Sequence, residues 1–213
     1  MFNNSETAQQ VAEFLLQIKA IKLQPANPFT WASGWKSPIY CDNRVTLSHP
    51  TIRTYIRQQL TLAIQEKFGV VGCIAGVATA GIPQGALVAQ ELGLPFIYVR
   101  AKAKEHGTGS LIEGDTTLTG QRVVVIEDLI STGKSSLQAV QALRDAGYEV
   151  AGLAAIFTYG FDVADENFKK ANCPYITLSD YNALISYAEE FQYILRADVD
   201  MLKQWREDPA NWG

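Results

Sequence analysis

Two adjacent acidic residues, Glu127 and Asp128, follow a β-branched run at residues 122–126 and precede a short polar turn at residues 131–135. The run predicts a buried strand, and the turn leads into a predicted helix. Such a turn and the helix N-terminus offer free backbone N–H groups, which bind phosphate. The paired carboxylates would repel that phosphate, so they suit hydroxyl groups or a hydrated metal ion. The segment therefore indicates a site for a ribose 5-phosphate.

A P-loop is the obvious competing interpretation, because Gly133, Lys134 and Ser135 spell the end of that motif. The P-loop pattern also needs a glycine five residues before Gly133, and Asp128 stands there, so the match fails. A purely structural role for the two acids is disfavoured, since acids at the end of a buried strand are costly without a partner.

A second candidate site is the polar loop at residues 100–116, which follows a predicted strand at residues 95–99. Basic side chains recur at every second position of this loop, at Arg100, Lys102, Lys104 and His106. In an extended chain they would point to the same side. A cluster of one sign in an acidic protein suits the binding of a diphosphate.

The loop at residues 76–81 consists of small residues and leads into a helix with Pro83 near its start. Free N–H groups at such a turn can bind a diphosphate. The residues concerned are Thr79, Ala80 and Gly81. Turns of this kind are common, so this loop is weak evidence without the other two.

Strands and helices alternate along most of the chain. Strands are predicted at residues 70–75, 95–99, 122–126, 150–157 and 175–178, with helices between and after them. This order predicts an α/β fold with a mainly parallel central sheet that helices cover on both faces. Ligands bind at the carboxyl ends of such strands, where the candidate loops fall. Residues 25–44, rich in proline and aromatic side chains, predict a small hood of short strands and turns.

Composition narrows the possible partners. The 213 residues suit one domain, and 47% apolar and 19% charged residues exclude wholesale disorder. The net charge of −4 argues against general binding to nucleic acid or to a membrane surface. The three cysteines, Cys41, Cys73 and Cys173, are widely spaced, which suits a reducing compartment. No signal peptide or membrane-spanning run is evident. We therefore expect a cytoplasmic protein with neither a nucleic-acid nor a membrane partner.

Three of these segments resemble known motifs. The acidic strand end and its turn resemble the phosphoribosyl-diphosphate motif of the type I phosphoribosyltransferases. The loop from Arg100 resembles the catalytic loop of the orotate phosphoribosyltransferases, in which Arg, Lys and His close over the diphosphate of the neighbouring subunit's substrate. Residues 29–44 look like the amino-terminal signature of the same family, with a Ser-Gly pair, a Ser-Pro-x-Tyr turn and an acid two residues before Arg44.

The resemblance implies a single phosphoribosyltransferase domain over residues 1–213, with a hood from about residues 1–45 and C-terminal segments. It implies transfer of the phosphoribosyl group from 5-phosphoribosyl 1-diphosphate to orotate, which yields orotidine 5'-monophosphate and pyrophosphate on the route to UMP. It further implies Mg²⁺, bound through the sugar diphosphate and water rather than by protein ligands. A homodimer that shares loop 100–116 between its subunits is implied as well.

The resemblance also assigns residues. Catalytic roles fall on Arg100, Lys104, His106, Glu127 and Asp128. The same five residues would bind the sugar diphosphate, together with Leu129, Ile130, Ser131, Thr132, Gly133, Lys134, Ser135, Thr79, Ala80 and Gly81. Orotate would contact the backbone at Tyr40 and Cys41 and the hydroxyl group of Ser131. No protein nucleophile is needed, since a nitrogen of orotate attacks the sugar.

The chain departs from the family pattern where many members carry a Lys or Arg. The departures lie at Ala32, Ala80, Ala101 and the loop at residues 158–162. Lys36 and Arg44 are candidates to replace the lost anion contacts.

Two alternative functions stay open. One is a phosphoribosyltransferase for a purine or for uracil. The other is a non-catalytic regulator that binds the sugar diphosphate, which would usually need a basic DNA-binding region.

Overall fold

The computed structural model describes residues 4–31, 34–101 and 111–212. Its helices are α1 (Ser5–Gln17), α2 (Pro50–Phe68), α3 (Gly81–Leu92), α4 (Lys134–Asp145), α5 (Asp162–Lys170), α6 (Tyr181–Glu190) and α7 (Arg196–Glu207). Its strands are β1 (Ile21–Leu23), β2 (Phe29–Thr30), β3 (Lys36–Ser37), β4 (Ile39–Cys41), β5 (Cys73–Val77), β6 (Phe96–Val99), β7 (Ile112–Glu113), β8 (Arg122–Ile130), β9 (Glu149–Thr158) and β10 (Tyr175–Asp180). Short 3₁₀ helices cover Asn43–Ser48 and Thr116–Leu118.

Six strands form the central sheet in the order β10-β9-β8-β5-β6-β7. Neighbouring strands are parallel, except that β7 runs antiparallel to β6. Strand β8 shows why both faces are covered. Val124 and Ile126 pack into a core with α1, α2, α3 and α6, whereas Val123 and Val125 pack into a second core with α4 and α5. A run of β-branched residues can bury both faces of a strand, so the predicted α/β fold is confirmed.

One strand boundary differs from the prediction in a way that matters for the site. The sequence predicts that β8 ends at Ile126, but the structure pairs Leu129 with Phe157 and Ile130 with Thr158. Glu127 and Asp128 therefore lie inside the strand and not in the loop that follows it. Periodicity missed this extension because two adjacent carboxylates are atypical of a strand interior. The matching length of β9 supplies the hydrogen-bonding partner that overrides this tendency.

The hood consists of two small antiparallel sheets, β1 with β4 and β2 with β3. The C-terminal helix α7 packs against it through Trp205, whose indole N–H donates to the Lys36 carbonyl oxygen at 3.1 Å. The same indole lies edge-on to Trp31, with ring centroids 5.6 Å apart. Distant parts of the chain thus meet above the carboxyl ends of β8 and β9. None of the helices in the described part of the chain has the length and apolar character needed to cross a membrane.

Candidate functional site

The two acids at the end of β8 have different surroundings. Glu127 is buried, and its carboxylate accepts hydrogen bonds from the Asp128 backbone N–H at 3.0 Å and from the Ser136 hydroxyl at 3.2 Å. Asp128 is half-buried, and its main-chain carbonyl accepts a hydrogen bond from the Asn43 side chain at 2.7 Å. The Glu127 carboxylate is thus anchored by the protein, while the Asp128 carboxylate is the more open of the two.

Burial makes this pair electrostatically costly. It raises the pKa of the Glu127 carboxyl well above its ordinary value, and the negative charge of Asp128 adds to the effect. Burial also raises the pKa of the Asp128 carboxyl. Hydroxyl donors or a positive charge placed beside the pair would relieve this cost. The pair is therefore suited to a ribose diol and to a sugar that becomes cationic.

The turn after β8 has the form of an anion-binding site. Gly133 adopts φ +74°, and α4 begins at the next residue with no side chain capping its N-terminus. The Thr132 carbonyl oxygen accepts a hydrogen bond from Asn167 at 3.0 Å, which fixes the turn against α5. A Cβ atom at residue 133 would lie 2.6 Å from the Phe168 ring. Only glycine meets both demands, and the uncapped N–H groups of α4 remain available to a phosphate.

The turn at residues 78–81 lies at the carboxyl end of β5, the neighbour of β8. The Ala78–Thr79 peptide bond is cis, and the Ala78 N–H donates to the Val99 carbonyl oxygen at 2.8 Å. Gly81 packs so closely on β8 that a Cβ atom there would overlap the Ile126 carbonyl oxygen. Thr79 is exposed and Ala80 is half-buried. The predicted diphosphate turn thus sits beside the acidic strand.

A pocket of about 270 Å³ opens between the hood and the ends of β8 and β9. It contains the three residues predicted to contact the base, Tyr40, Cys41 and Ser131. The other described residues of its lining are Thr30, Trp31, Leu129 and Tyr159. Burial, helped by the charge of Asp128, raises the pKa of the Cys41 thiol well above its ordinary value, so the thiol is neutral. The pocket offers aromatic walls and neutral polar groups to a planar ring.

Arg100 stands at the carboxyl end of β6. Its guanidinium Nη1 lies 3.4 Å from Oε1 of Glu113, and its backbone N–H donates to the Leu111 carbonyl oxygen at 2.8 Å. A cavity of about 410 Å³ between α4 and this strand end is lined by Arg100, Ala78 and Ser135, among others. Arg100 therefore lines one cavity together with a residue from each of the two predicted phosphate turns. Lys102, Lys104 and His106 fall outside the described residues.

The remaining predicted binding residues divide by exposure. Leu129 forms part of the pocket wall. The side chain of Ile130 is buried in the core, and its carbonyl oxygen accepts hydrogen bonds from the Tyr159 N–H at 3.1 Å and the Thr158 hydroxyl at 3.3 Å. Lys134 and Ser135 are exposed in the first turn of α4. Ile130 accordingly supports the pocket and has no side-chain surface to offer a ligand.

The two candidate replacements for missing cations are each bound to a neighbouring side chain. Arg44 binds the Asp42 carboxylate in a bidentate manner, with Nε–Oδ1 and Nη2–Oδ2 distances of 2.7 and 2.9 Å. The Lys36 ammonium donates to the Thr30 hydroxyl at 2.9 Å and is exposed. Neither residue lines the pocket. The departure at Ala32 lies outside the described residues.

Sequence reasoning missed Asn43, which is fully buried between the hood and β8. Its side-chain oxygen accepts from the Cys41 thiol at 3.3 Å, while its amide donates to Asp128. Its carbonyl oxygen accepts from the Thr46 hydroxyl at 2.6 Å, and that hydroxyl accepts from Gln84 of α3 at 3.1 Å. Its partner Asp128 is 85 positions away, so no local pattern reveals the role. Trp31 and Tyr159 were missed as pocket walls for the same reason.

Comparison with known proteins gives a consistent result. Residues 52–192 match the phosphoribosyl transferase domain family. The orotate phosphoribosyltransferase of Phocaeicola vulgatus is 60% identical over 201 residues, which is 94% of each chain. The crystal structure of orotate phosphoribosyltransferase from Aeropyrum pernix superposes with a TM-score of 0.75 at 28% identity, covering 87% of this chain and 99% of that one. The Mycobacterium tuberculosis H37Rv enzyme in complex with 5-phospho-alpha-D-ribosyl 1-diphosphate gives a TM-score of 0.65 at 26% identity, covering 84% and 98%.

Proposed function

The chain belongs to the phosphoribosyl transferase family, and from this premise we propose that it acts as an orotate phosphoribosyltransferase. It transfers the phosphoribosyl group of 5-phosphoribosyl 1-diphosphate to orotate, giving orotidine 5'-monophosphate and pyrophosphate for pyrimidine nucleotide synthesis. One observation carries the assignment. A neutral pocket lined by Tyr40, Cys41 and Ser131 opens at the end of the strand that carries Glu127 and Asp128.

The reaction is a substitution at C1 of the ribose. The bond from C1 to the diphosphate oxygen breaks, and its electron pair leaves with pyrophosphate while a ring nitrogen of orotate bonds to C1. The proton of that nitrogen passes to pyrophosphate or water. Positive charge develops on the sugar, and Asp128 would stabilise it electrostatically. Glu127, anchored by Ser136, and Asp128 would accept hydrogen bonds from the ribose hydroxyls. The protein therefore needs no nucleophile of its own.

The phosphate ends of the substrate are assigned to the two turns. The uncapped start of α4 and residues 131–135 suit the 5'-phosphate. The turn at residues 79–81 and Arg100 suit the diphosphate, on which negative charge builds as the bond breaks. Each donor aimed at such a leaving group typically contributes on the order of 10²–10³ in rate. Lys104 and His106 are proposed to act there as well.

We propose Mg²⁺ as the cofactor. The side chains that could serve as its ligands indicate how it would bind. Among residues 4–31, 34–101 and 111–212, no group of three His, Cys, Asp or Glu is arranged to hold a metal ion. The ion is proposed to bind through diphosphate and ribose oxygens and water, while Glu127 and Asp128 hold the ribose hydroxyls. When bound, Mg²⁺ would neutralise charge on the diphosphate.

We propose in addition that two chains form a homodimer and that loop 100–116 reaches the partner's substrate. The resemblance of the loop to the family's catalytic loop supports this, as does the position of Arg100 at the edge of the site. A cytoplasmic location is a further proposal. It is supported by the three cysteines, which are all free thiols.

The experiment that tests the function follows orotate absorbance with 5-phosphoribosyl 1-diphosphate and Mg²⁺, with adenine, hypoxanthine and uracil as parallel bases. We expect loss of orotate matched one to one by release of pyrophosphate. Turnover of another base in place of orotate would keep the reaction and change the substrate. Binding of the sugar diphosphate without turnover of any base would favour a regulator.

A further inference from the structure

We propose that Tyr159 sets the base specificity of the pocket, its hydroxyl group donating a hydrogen bond to the carboxylate of bound orotate. This assignment deepens the proposed function and rests on it. Nothing in the sequence motifs points to Tyr159, since it follows β9 in the loop that lacks the family's arginine. The argument comes from its packing, its unpaired hydroxyl and the charge of the pocket.

The ring of Tyr159 is held in one position. Its backbone N–H donates to the Ile130 carbonyl oxygen at 3.1 Å, which ties the residue to the end of β8. The ring centroid lies 5.2 Å from that of Trp31 and 5.4 Å from that of Phe161, with Trp205 edge-on at 5.8 Å. These contacts leave the ring little freedom to rotate. It is therefore a fixed wall of the pocket, and its oxygen has a defined place.

The hydroxyl group of Tyr159 makes no hydrogen bond with any residue in the described ranges. The residue is only 2% exposed, and it lines the base pocket. Buried tyrosine hydroxyls usually have a partner, and an unpaired one costs stability. A ligand in the pocket would supply that partner.

Tyr159 lines the base pocket together with Cys41 and Tyr40. Burial raises the pKa of Tyr159 well above its ordinary value, and the negative charge of Asp128 adds to the effect. The phenol thus stays protonated at working pH and can only donate to an anion.

The described lining residues of the pocket offer a bound anion no positive charge of their own. No Lys, Arg or His is among its seven described lining residues. The carboxylate of orotate loses water on entering and needs donors in return. Thr30 and Tyr40 are exposed, so water competes for their hydroxyl groups, whereas the Tyr159 hydroxyl is sheltered. A hydrogen bond from a neutral donor to an ionised acceptor is strong in such a place. Uracil has the same ring without the carboxylate and would leave Tyr159 unpaired.

The test is Tyr159→Phe, which keeps the ring and its packing. We expect KM for orotate to rise about 10- to 100-fold, while KM for the sugar diphosphate stays within about twofold. Tyr181→Phe is the matched control. The ring of Tyr159 also borders a separate cavity of about 310 Å³ that is lined by Tyr181, whose hydroxyl donates to the Leu202 carbonyl oxygen at 3.0 Å. Loss of that hydroxyl should lower thermal stability and leave KM for orotate unchanged.

Uracil, used as a competitive inhibitor against orotate, tests which group of the base Tyr159 contacts, because uracil lacks the carboxylate. An inhibition constant for uracil that is the same in wild type and Tyr159→Phe supports contact with the carboxylate. An inhibition constant that rises in parallel with KM for orotate overturns it. A change in KM for orotate of less than twofold also overturns the proposal, whatever uracil does. A wild-type protein that leaves orotate unchanged would instead refute the proposed function, so the two failures are distinguishable.

Discussion

The side-chain amide of Asn43 donates a hydrogen bond of 2.7 Å to the main-chain carbonyl oxygen of Asp128, across 85 positions of the chain. The same asparagine accepts a hydrogen bond from the thiol of Cys41, a residue that lines the base pocket. One buried side chain therefore joins the hood to the acidic strand. The relative position of base and ribose depends on this link.

Replacing Asn43 by leucine, which has a similar volume, tests the link. The Asp128 carbonyl and the Cys41 thiol would lose their partner, and an unpaired buried group costs about 1–3 kcal/mol. We expect a lower free energy of unfolding in urea and a higher KM for orotate. The exposed Asn211, whose side-chain amide donates to the Asp208 carboxylate, provides the control. Asn211→Leu should change stability by about 0.5 kcal/mol or less. Equal stabilities of the two variants would refute the role of Asn43.

Asp128→Asn should separate activity from stability. Loss of the charge that faces the ribose is expected to lower kcat by about 10²–10³-fold. Glu127→Gln should also lower kcat, because the Glu127 carboxylate, held by the Ser136 hydroxyl, is proposed to accept a hydrogen bond from the ribose. Steady-state kinetics at saturating substrates measures both. A fully active Asp128→Asn variant would remove this carboxylate from the mechanism.

The same variant predicts a pH-dependent gain in stability. Burial raises the pKa of Asp128 in the folded state, so the folded protein keeps this proton to a higher pH than the unfolded chain does. Stability is therefore lost as the pH rises from the unfolded pKa through the folded one. Asp128→Asn should melt at a higher temperature than wild type at pH 8, with the difference disappearing near pH 4. Asp115, exposed and with a pKa lowered by hydrogen bonds from Thr117, is the control. Asp115→Asn should bring no gain at pH 8.

Gly133→Ala probes the phosphate turn. The change forces a left-handed conformation on alanine, which costs roughly 1–2 kcal/mol, and drives its Cβ into Phe168. Gly120 has a similar φ of +84° but open space around it, so Gly120→Ala carries the conformational cost alone. We expect KM for the sugar diphosphate to rise about tenfold or more in the first variant only. Equal effects on KM would indicate that close packing at residue 133 is unimportant.

Lys104→Ala tests the basic loop. We expect kcat to fall about 10²-fold or more with unchanged thermal stability, because the lysine is proposed to meet the leaving diphosphate. Lys67, exposed on the last turn of α2, is the control, and Lys67→Ala should keep full activity.

If the loop acts on the partner's substrate, mixed dimers of Lys104→Ala and Asp128→Asn chains contain one intact site. They should recover about half of the wild-type activity per dimer. No recovery in verified mixed dimers would show that the loop serves its own subunit.

Local patterns were sufficient for most of the architecture. The β-branched run before Glu127 predicted a strand buried on both faces, and the structure places its alternate side chains in two separate cores. The small-residue turns before α3 and α4 were recognised because conformation and free N–H groups are properties of a few consecutive residues. The fold and the family were therefore accessible without coordinates, as was the proximity of the candidate loops at one edge of the sheet.

Long-range contacts were not accessible in this way. Arg44 was a candidate for an anion contact, but it pairs with Asp42. The end of β8 depends on the length of β9, the carbonyl of Asp128 depends on Asn43, and the Tyr159 ring depends on Trp31 and Trp205. Each relationship joins residues that are far apart in the chain, and none leaves a periodic or turn signal at either end. Hydrophobic periodicity and backbone preference act over a few residues, so the sequence specified the elements. Burial and hydrogen-bond satisfaction act on the packed molecule, so packing selected which polar groups face the pocket.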